Sequence, residues 1–349
     1  MVHSAGAVVR PVVGLAATTA GGLAEVATSG RVTTLPSPSG PSPTRQGPPT
    51  ADSSSGSPGS ADPTFPGGEF RQSVVGQAVA SDSTEVVANL NRMITQYYDS
   101  VGVNEMPMFN VPADQPLVPV SVLSGCSDFR GSTGREIPIP AGAYTTDANY
   151  RHDSDLLISQ PSTNSIWELW RATKSSDGSW SACWGGKLDP ETSDGVFPYP
   201  YGLSASGISY AATMITENDI EGGSINHAIA LQVPMCDRST APADRTDCAS
   251  NPGYPSEGAW FRLPASVPMP SELTPFARMV FTALQHYGAV ITDQAGAVML
   301  QAETTRDWST AGRSGIDPIQ ASWTGEPEYA VLTGIPWSDL QVIDPPASS

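Results

Sequence analysis

Between residues 155 and 188 the apolar side chains of this chain recur at every second position. The runs DLLISQ, SIWELWRATK and SWSACWGGKL are separated by the turn-forming strings PSTN and SSDG. A period of two with such punctuation predicts a three-stranded antiparallel meander with four-residue turns. A four-residue PSTN loop sets Gln160 opposite Ser165, Ser159 opposite Ile166, Leu157 opposite Glu168 and Asp155 opposite Trp170. Leu156, Ile158, Trp167 and Leu169 then share a face that is nearly all apolar and must be core. The other face carries Asp155, Glu168 and Trp170. A four-residue SSDG loop places Gly185 opposite Glu168 and leaves open space beside the carboxylate.

The other segments build around that meander. A helix is predicted over 83–99, with Asp82 as cap, Glu85 three residues on, and a stripe of Val86, Leu90, Met93, Ile94, Tyr97 and Tyr98. A second is predicted over 271–287, with Ser271 as cap and Gly288 just past its end. The proline spacing in MFNVPADQPLVPVSVL allows only extended chain or an edge strand. NHAIALQV (226–233) and AWFRL (259–263) read as strands, and AVITD-QAG-AVMLQAE reads as a hairpin. Residues 304–349 show little periodicity and are expected to wrap the body. With 33 Gly and 33 Pro, strands and loops are favoured over helix bundles. The expected fold class is α+β: a mainly antiparallel, sandwich-like body with two packed amphipathic helices. It forms one globular domain over 71–349 with its core at 95–303. Residues 35–70, rich in Pro, Ser and Gly, have little to bury and read as a disordered tether. Residues 1–34, with Arg10 ahead of PVVGLAATTAGGLA, read as a leader or signal segment.

Composition sets the partners and the compartment. Asp and Glu number 35 against 17 Lys and Arg, a net charge of -18, which argues against nucleic acid as a partner. No apolar run is long enough for a membrane span. The four cysteines, Cys126, Cys183, Cys236 and Cys248, show no CxxC spacing, and only four histidines are present. Two disulfides are therefore expected, which places the chain in an oxidising compartment, secreted or at the cell surface. Cys236 and Cys248 bracket a polar loop and form the expected pair. No metal site is expected, since the acidic loops RHDSD and DPETSD, though they offer oxygen ligands for calcium, do not follow the spaced EF-hand pattern. No cofactor is expected, since GxSxG, GxxxxGK[ST] and a GxGxxG followed by a suitable acid are all missing.

The residues that carry chemistry lie on the polar face of the meander. Cross-strand diagonal neighbours have Cβ atoms roughly 6–8 Å apart, within the roughly 5–9.5 Å that separates the paired acids of glycosidases. Glu168, flanked by Trp167, Leu169 and Trp170, is the expected proton donor, with Asp155 as the ionised partner. Trp170 is placed to stack on a sugar, and Gly185 to leave room for it. His227 is the base candidate for β-elimination, with Tyr199, Tyr201 or Tyr210 as partner hydroxyl. Its alignment with Ile229, Leu231 and Val233 equally suits a satisfied, half-buried residue. Glu217, Asp219 and Glu221 mimic the ExDxE acid triplet of laminarinase-type β-glucanases. However, Thr216 followed by Asp219 reads as a helix cap, and on a short helix the three acids fan apart. The functional expectation is an extracytoplasmic glycan-directed protein, a hydrolase or lyase acting on a polysaccharide or cell-surface glycan. The alternatives are a non-catalytic glycan-binding or surface-attachment module (an envelope or phage appendage) and a purely structural role for the Trp residues.

The segments VPADQPLVPV, QPSTNSIWELWRA, WSACWGG, INHAIALQVP, PSEGAWFRL and YGAVITDQAGAV, in that order, resemble a family of exported actinobacterial proteins. The resemblance covers roughly residues 95–303. It implies one domain across that span and export, and no reaction. Where that family reads TDGH, this chain has His152-Asp153-Ser154-Asp155, and the two-cysteine loop at 236–248 is particular to this chain.

Overall fold

The computed structural model describes residues 63, 65–97, 99–145, 153–303 and 318–346. The expected leader at 1–34 and most of the expected tether lie outside them. In chain order the strands are β1 (Gly102–Met106), β2 (Met108–Asn110), β3 (Val118–Val122), β4 (Glu136–Ile137), β5 (Leu156–Gln160), β6 (Ser165–Trp170) and β7 (Thr173–Lys174). They continue with β8 (Trp180–Ala182), β9 (Trp184–Leu188), β10 (Ile229–Val233), β11 (Trp260–Arg262), β12 (Ala289–Gln294), β13 (Met299–Glu303) and β14 (Gln341–Ile343). The helices are α1 (Ser83–Tyr97), α2 (Arg130–Thr133), α3 (Tyr210–Thr213), α4 (Glu217–Gly222), α5 (Pro275–His286) and α6 (Pro318–Ser322).

Three sheets form, in the orders β1-β13-β10-β12-β11-β14, β2-β5-β6-β9 and β4-β3-β8-β7. Most of their pairings are antiparallel, and the fold is the expected α+β body with two long amphipathic helices. One face of the six-stranded sheet (Ile229, Leu231, Val233, Phe261, Ile291, Leu300) packs on α1 and α5 through Val86, Leu90, Met93, Phe276, Val280 and Phe281. Its other face (Ala230, Val290, Trp260) packs on Leu157, Ile166 and Leu188 of the second sheet. The far side of the second sheet (Leu156, Ile158, Trp167, Leu169) packs on Val120, Trp180 and Ala182 of the third. Both faces of β5 and β6 are therefore covered, so nearly every residue of those strands is buried.

The meander registers as expected at its first turn, with Gln160 opposite Ser165 and Leu157 opposite Glu168. The second turn is one residue shorter than expected. Ser175 N–H donates to the Ser179 carbonyl at 2.8 Å, so only three residues make the loop, with Gly178 at φ +85°. A glycine in that left-handed position suits a three-residue hairpin. The shorter loop moves the register by one, and Gly186 rather than Gly185 stands opposite Glu168. The long hairpin also bends between sheets. Arg171 at φ +53° breaks one arm between β6 and β7, and Cys183, bonded to Cys126, breaks the other between β8 and β9.

Several other expectations need correction. The segments at 289–303 are consecutive strands but not a hairpin, because β10 lies between them, parallel to β12 and antiparallel to β13. All five residues of β10 are buried, and such a strand is most stable with both edges paired. Helix α5 begins three to four residues later than expected. Thr274 caps it, accepting from Ala277 N–H at 3.1 Å, with Pro275 as the first helical residue, a position that needs no amide donor. In the C-terminal segment, Trp323 and Trp337 are buried as wrapping side chains, but β14 also joins the main sheet beside β11.

The packed body starts before residue 71. Phe65 and Phe70 are 1% exposed and sit in the core between the first two sheets, and Phe70 stacks on Trp260 at 5.5 Å. In TFPGGEF the aromatic pair outweighs the Gly and Pro around it, since each buried ring contributes roughly 1.5–3 kcal/mol. Phe70→Ala should therefore cost about 3–5 kcal/mol, read as a lower denaturation midpoint. Limited proteolysis should leave a body whose N-terminus lies ahead of Phe65.

Both expected disulfides are present, Cys126–Cys183 and Cys236–Cys248, and no cysteine is free. Thiol titration of the denatured, unreduced protein should detect none.

Candidate functional site

The face expected to be an open groove is the interior between two sheets. Glu168 is 0% exposed and Asp155 8%. Both lie on the Leu157–Ile166 side of the strands, as the alternation requires, but that side is covered by α3 and its flanks. Ser209 Oγ donates to Glu168 Oε1 at 2.6 Å, and the Ala211 N–H donates to the same oxygen at 3.0 Å. No space opens beside the carboxylate through glycine either. A Cβ on Gly185 would stand 2.6 Å from the Glu168 carbonyl oxygen, and one on Gly186 2.4 Å from the Phe197 ring. The glycines here admit neighbouring backbone and Phe197, not ligand.

Burial dominates the titration of these groups. It pushes Glu168 up to about 7, against the pull of the Ala211 and Ser209 bonds. Asp155 is also raised well above the ordinary carboxylate range, by burial first and then by Asp153, Asp293 and Glu168. Burial thus pushes both carboxyls the same way, toward the neutral form, rather than holding Asp155 ionised beside a protonated Glu168. Asp293 is pushed to about 7 by burial and by Asp247. Its Oδ2 accepts from the Tyr210 hydroxyl at 3.2 Å and from Ala205 N–H at 3.1 Å. The Tyr210 hydroxyl in turn accepts from Gln232 Nε2 at 2.9 Å.

His227 is 4% exposed and lies apart from this set. Its Nε2 is 3.1 Å from Asp219 Oδ2, and its Nδ1 is 2.9 Å from the Ala228 carbonyl. None of Tyr199, Tyr201 and Tyr210 bonds to it, so the base-plus-tyrosine arrangement is not formed. Asp219 also makes the reciprocal capping box with Thr216 at the start of α4. This is the short helix expected of TENDIEGG, and of its three acids Asp219 serves the cap.

The aromatic side chains do reach the surface. Trp184 and Tyr201 stack at 5.9 Å with planes 16° apart, and the Trp184 indole N–H donates to the Pro200 carbonyl at 3.0 Å. Tyr199, on the same PYPY turn, is 72% exposed. Phe129 meets Trp184 edge-on from beneath at 6.4 Å, and the Cys126–Cys183 bond joins the two segments that bring these rings together. Trp184 is the register partner of Trp170. The half-buried Trp170 indole N–H donates to Asp153 at 2.9 Å, with the Arg171 guanidinium 5.6 Å from the ring centroid. Among the expected site residues, then, Trp170 borders an aromatic ledge, while Glu168, Asp155, Gly185 and His227 are interior. Tyr199, Tyr201 and Trp184 were not chosen from sequence as a sugar surface. The aromatic and proline density of FPYPYG was the available signal.

Elsewhere, Asp247, Glu257 and Asp293 each bring one carboxylate oxygen within 4.8 Å of the others. A cavity of about 180 Å³ lies between the Thr240–Ala259 region and the start of α1, small beside the roughly 300–1,000 Å³ of ordinary ligand pockets. No family model, curated protein or solved structure matches the chain.

The buried Glu168 makes stability fall as pH rises. Below about pH 4.5 the group is protonated whether folded or not. Between about 4.5 and 7 the unfolded chain ionises while the folded one keeps its proton, so stability is lost across that window by on the order of 3 kcal/mol. Melting temperature should therefore decline from pH 5 to pH 7.5, and Glu168→Gln should make that decline shallower, with the raised Asp155 and Asp293 contributing to the remainder.

Proposed function

We propose that this chain is an extracytoplasmic glycan-binding module of the surface-attachment kind, which holds polysaccharide on the aromatic ledge formed by Tyr199, Tyr201 and Trp184 and bordered by Trp170. The observation that carries this reading is the contrast in access: Tyr199, two residues from the stacked Tyr201–Trp184 pair, is 72% exposed, whereas Glu168 is 0% exposed. Flat, stacked rings offer an apolar face to sugar C–H groups and polar edges to their hydroxyls. A general acid, by contrast, must come within hydrogen-bond reach of a glycosidic oxygen, and Glu168 is held by Ser209 and Ala211 in the interior. Two disulfides accord with an oxidising compartment, and no helix among the described residues is long and apolar enough to cross a membrane. The net charge of -18 favours neutral polysaccharides over uronate polymers.

The test is affinity electrophoresis or calorimetry against neutral glucan, mannan and galactan polymers, with a polyuronate as contrast. Wild type should bind a neutral polymer and release no reducing ends. Tyr199→Ala should weaken binding by roughly tenfold, about 1.4 kcal/mol, and Trp170→Ala by less. Turnover that Glu168→Gln abolishes would replace this reading with the hydrolase one, and no retention on any glycan would refute both.

A further inference from the structure

We propose that Asp247, Glu257 and Asp293 form a calcium site where the loop closed by Cys236–Cys248 meets the end of β12. Three features of the side chains carry the inference. The first is spacing. Oxygens that all lie within 4.8 Å of one another match ligands set around one ion at calcium's 2.3–2.6 Å bond length. Second comes Glu257 itself. It is 0% exposed, and neither of its carboxylate oxygens makes a hydrogen bond. The Thr246 hydroxyl and the Asp247 carboxyl come within loose hydrogen-bonding reach without forming a well-aligned bond, and burial, with Asp247 and Asp293 beside it, pushes Glu257 up to about 9. A buried carboxylate lacking hydrogen bonds costs several kcal/mol unless a charge offsets it, and its oxygens point toward those of Asp247 and Asp293.

The third feature is the balance of charge. Arg245 is the cation whose field reaches both Glu257 and Asp293. Its hydrogen bonds go elsewhere, from Nη2 to the Ser204 carbonyl at 3.1 Å and from Nη1 to Asp244 at 3.3 Å. Four carboxylates, Asp244 included, stand against this one guanidinium, an excess of negative charge that a divalent ion reduces, displacing the protons that burial favours on Glu257 and Asp293. All-oxygen ligation selects a hard cation over zinc or copper. Asp247 is exposed and gives the ion an entry path, while waters complete the six to eight ligands calcium takes. Gln294 Nε2 donates to Asp247 Oδ1 at 2.9 Å, and Gln294 N–H donates to Asp293 Oδ1 at 2.8 Å. One residue thus orients two of the three carboxylates, and each oxygen keeps a second lone pair for the metal. Bound calcium would fasten the disulfide loop to the main sheet.

The experiment uses the full oxidised chain, stripped with chelator at pH 7.5, titrated with calcium chloride by calorimetry and melted with and without the ion. Wild type should bind one calcium per chain with Kd between about 10 µM and 1 mM. It should melt a few degrees higher at ten times that Kd. Asp247→Asn, at an exposed position the fold tolerates, should weaken calcium affinity at least tenfold, and Glu257→Gln should abolish the calcium response. Three outcomes would overturn the proposal. One is the absence of both binding heat and thermal shift in wild type. Another is a shift reproduced by sodium chloride at equal ionic strength. The last is wild-type affinity retained in Asp247→Asn, which would leave the cluster as carboxyls that share protons.

Discussion

A carboxylate loses most of its hydration when two sheets close over it, and that desolvation shapes the centre of this protein. The chain carries twice as many acids as bases, yet its second sheet turns Glu168 and Asp155 inward against the six-stranded one. What makes the arrangement tolerable is α3. Ser209, which precedes that helix, directs its hydroxyl to Glu168 rather than to its own first turn, and the Ala211 N–H converges on the same oxygen. Two donors on one oxygen offset part of the desolvation, while the other oxygen has no hydrogen-bond partner and burial pushes the group toward its protonated form. The sheets can then approach closely enough for Leu157, Ile166, Ala230 and Val290 to share one core. The placement of α3, the spacing of the sheets and the neutrality of the acids are aspects of one constraint.

Local periodicity made much of this legible in the sequence. The alternation from Leu156 to Trp170 identified both faces of the strands, and the string TENDIEGG identified α4 down to its capping residue. Burial was not legible, because period two shows which side chains share a face and is silent on whether a second layer covers the polar one. The covering side chains Ser209, Tyr210 and Asp293 lie 41 or more positions from Glu168 and belong to other elements. Pairing order was hidden for a related reason. A central strand such as β10 reads as a continuous apolar run, and nothing in AVITDQAGAVMLQAE reveals that another segment separates its two halves. The three-residue turn at Ser176–Gly178 shows how little is needed to mislead. One residue fewer in a loop moved every partner of β9 by one.

The close contact that excludes a ligand beside Glu168 also fixes where the PYPY turn begins. Because Gly186 has no side chain, Phe197 lies directly on β9, where even a methyl group would stand 2.4 Å from its ring. Phe197 anchors the start of the PYPY turn in the core, so the residues that follow must leave the surface and return. Tyr199 projects and Tyr201 folds back onto Trp184. A larger residue at position 186 would therefore disturb the aromatic ledge while leaving the carboxylate as inaccessible as before. Catalysis and binding make opposite demands on this region. An acid that works must be exposed and partly neutral together, whereas a binding ring needs only a rigid base and an open face. Close packing at Gly186 seats Phe197 in the interior on the Glu168 side of the sheet, and from that anchor the chain carries Tyr199 out to solvent, so the closed interior and the exposed ring share one contact.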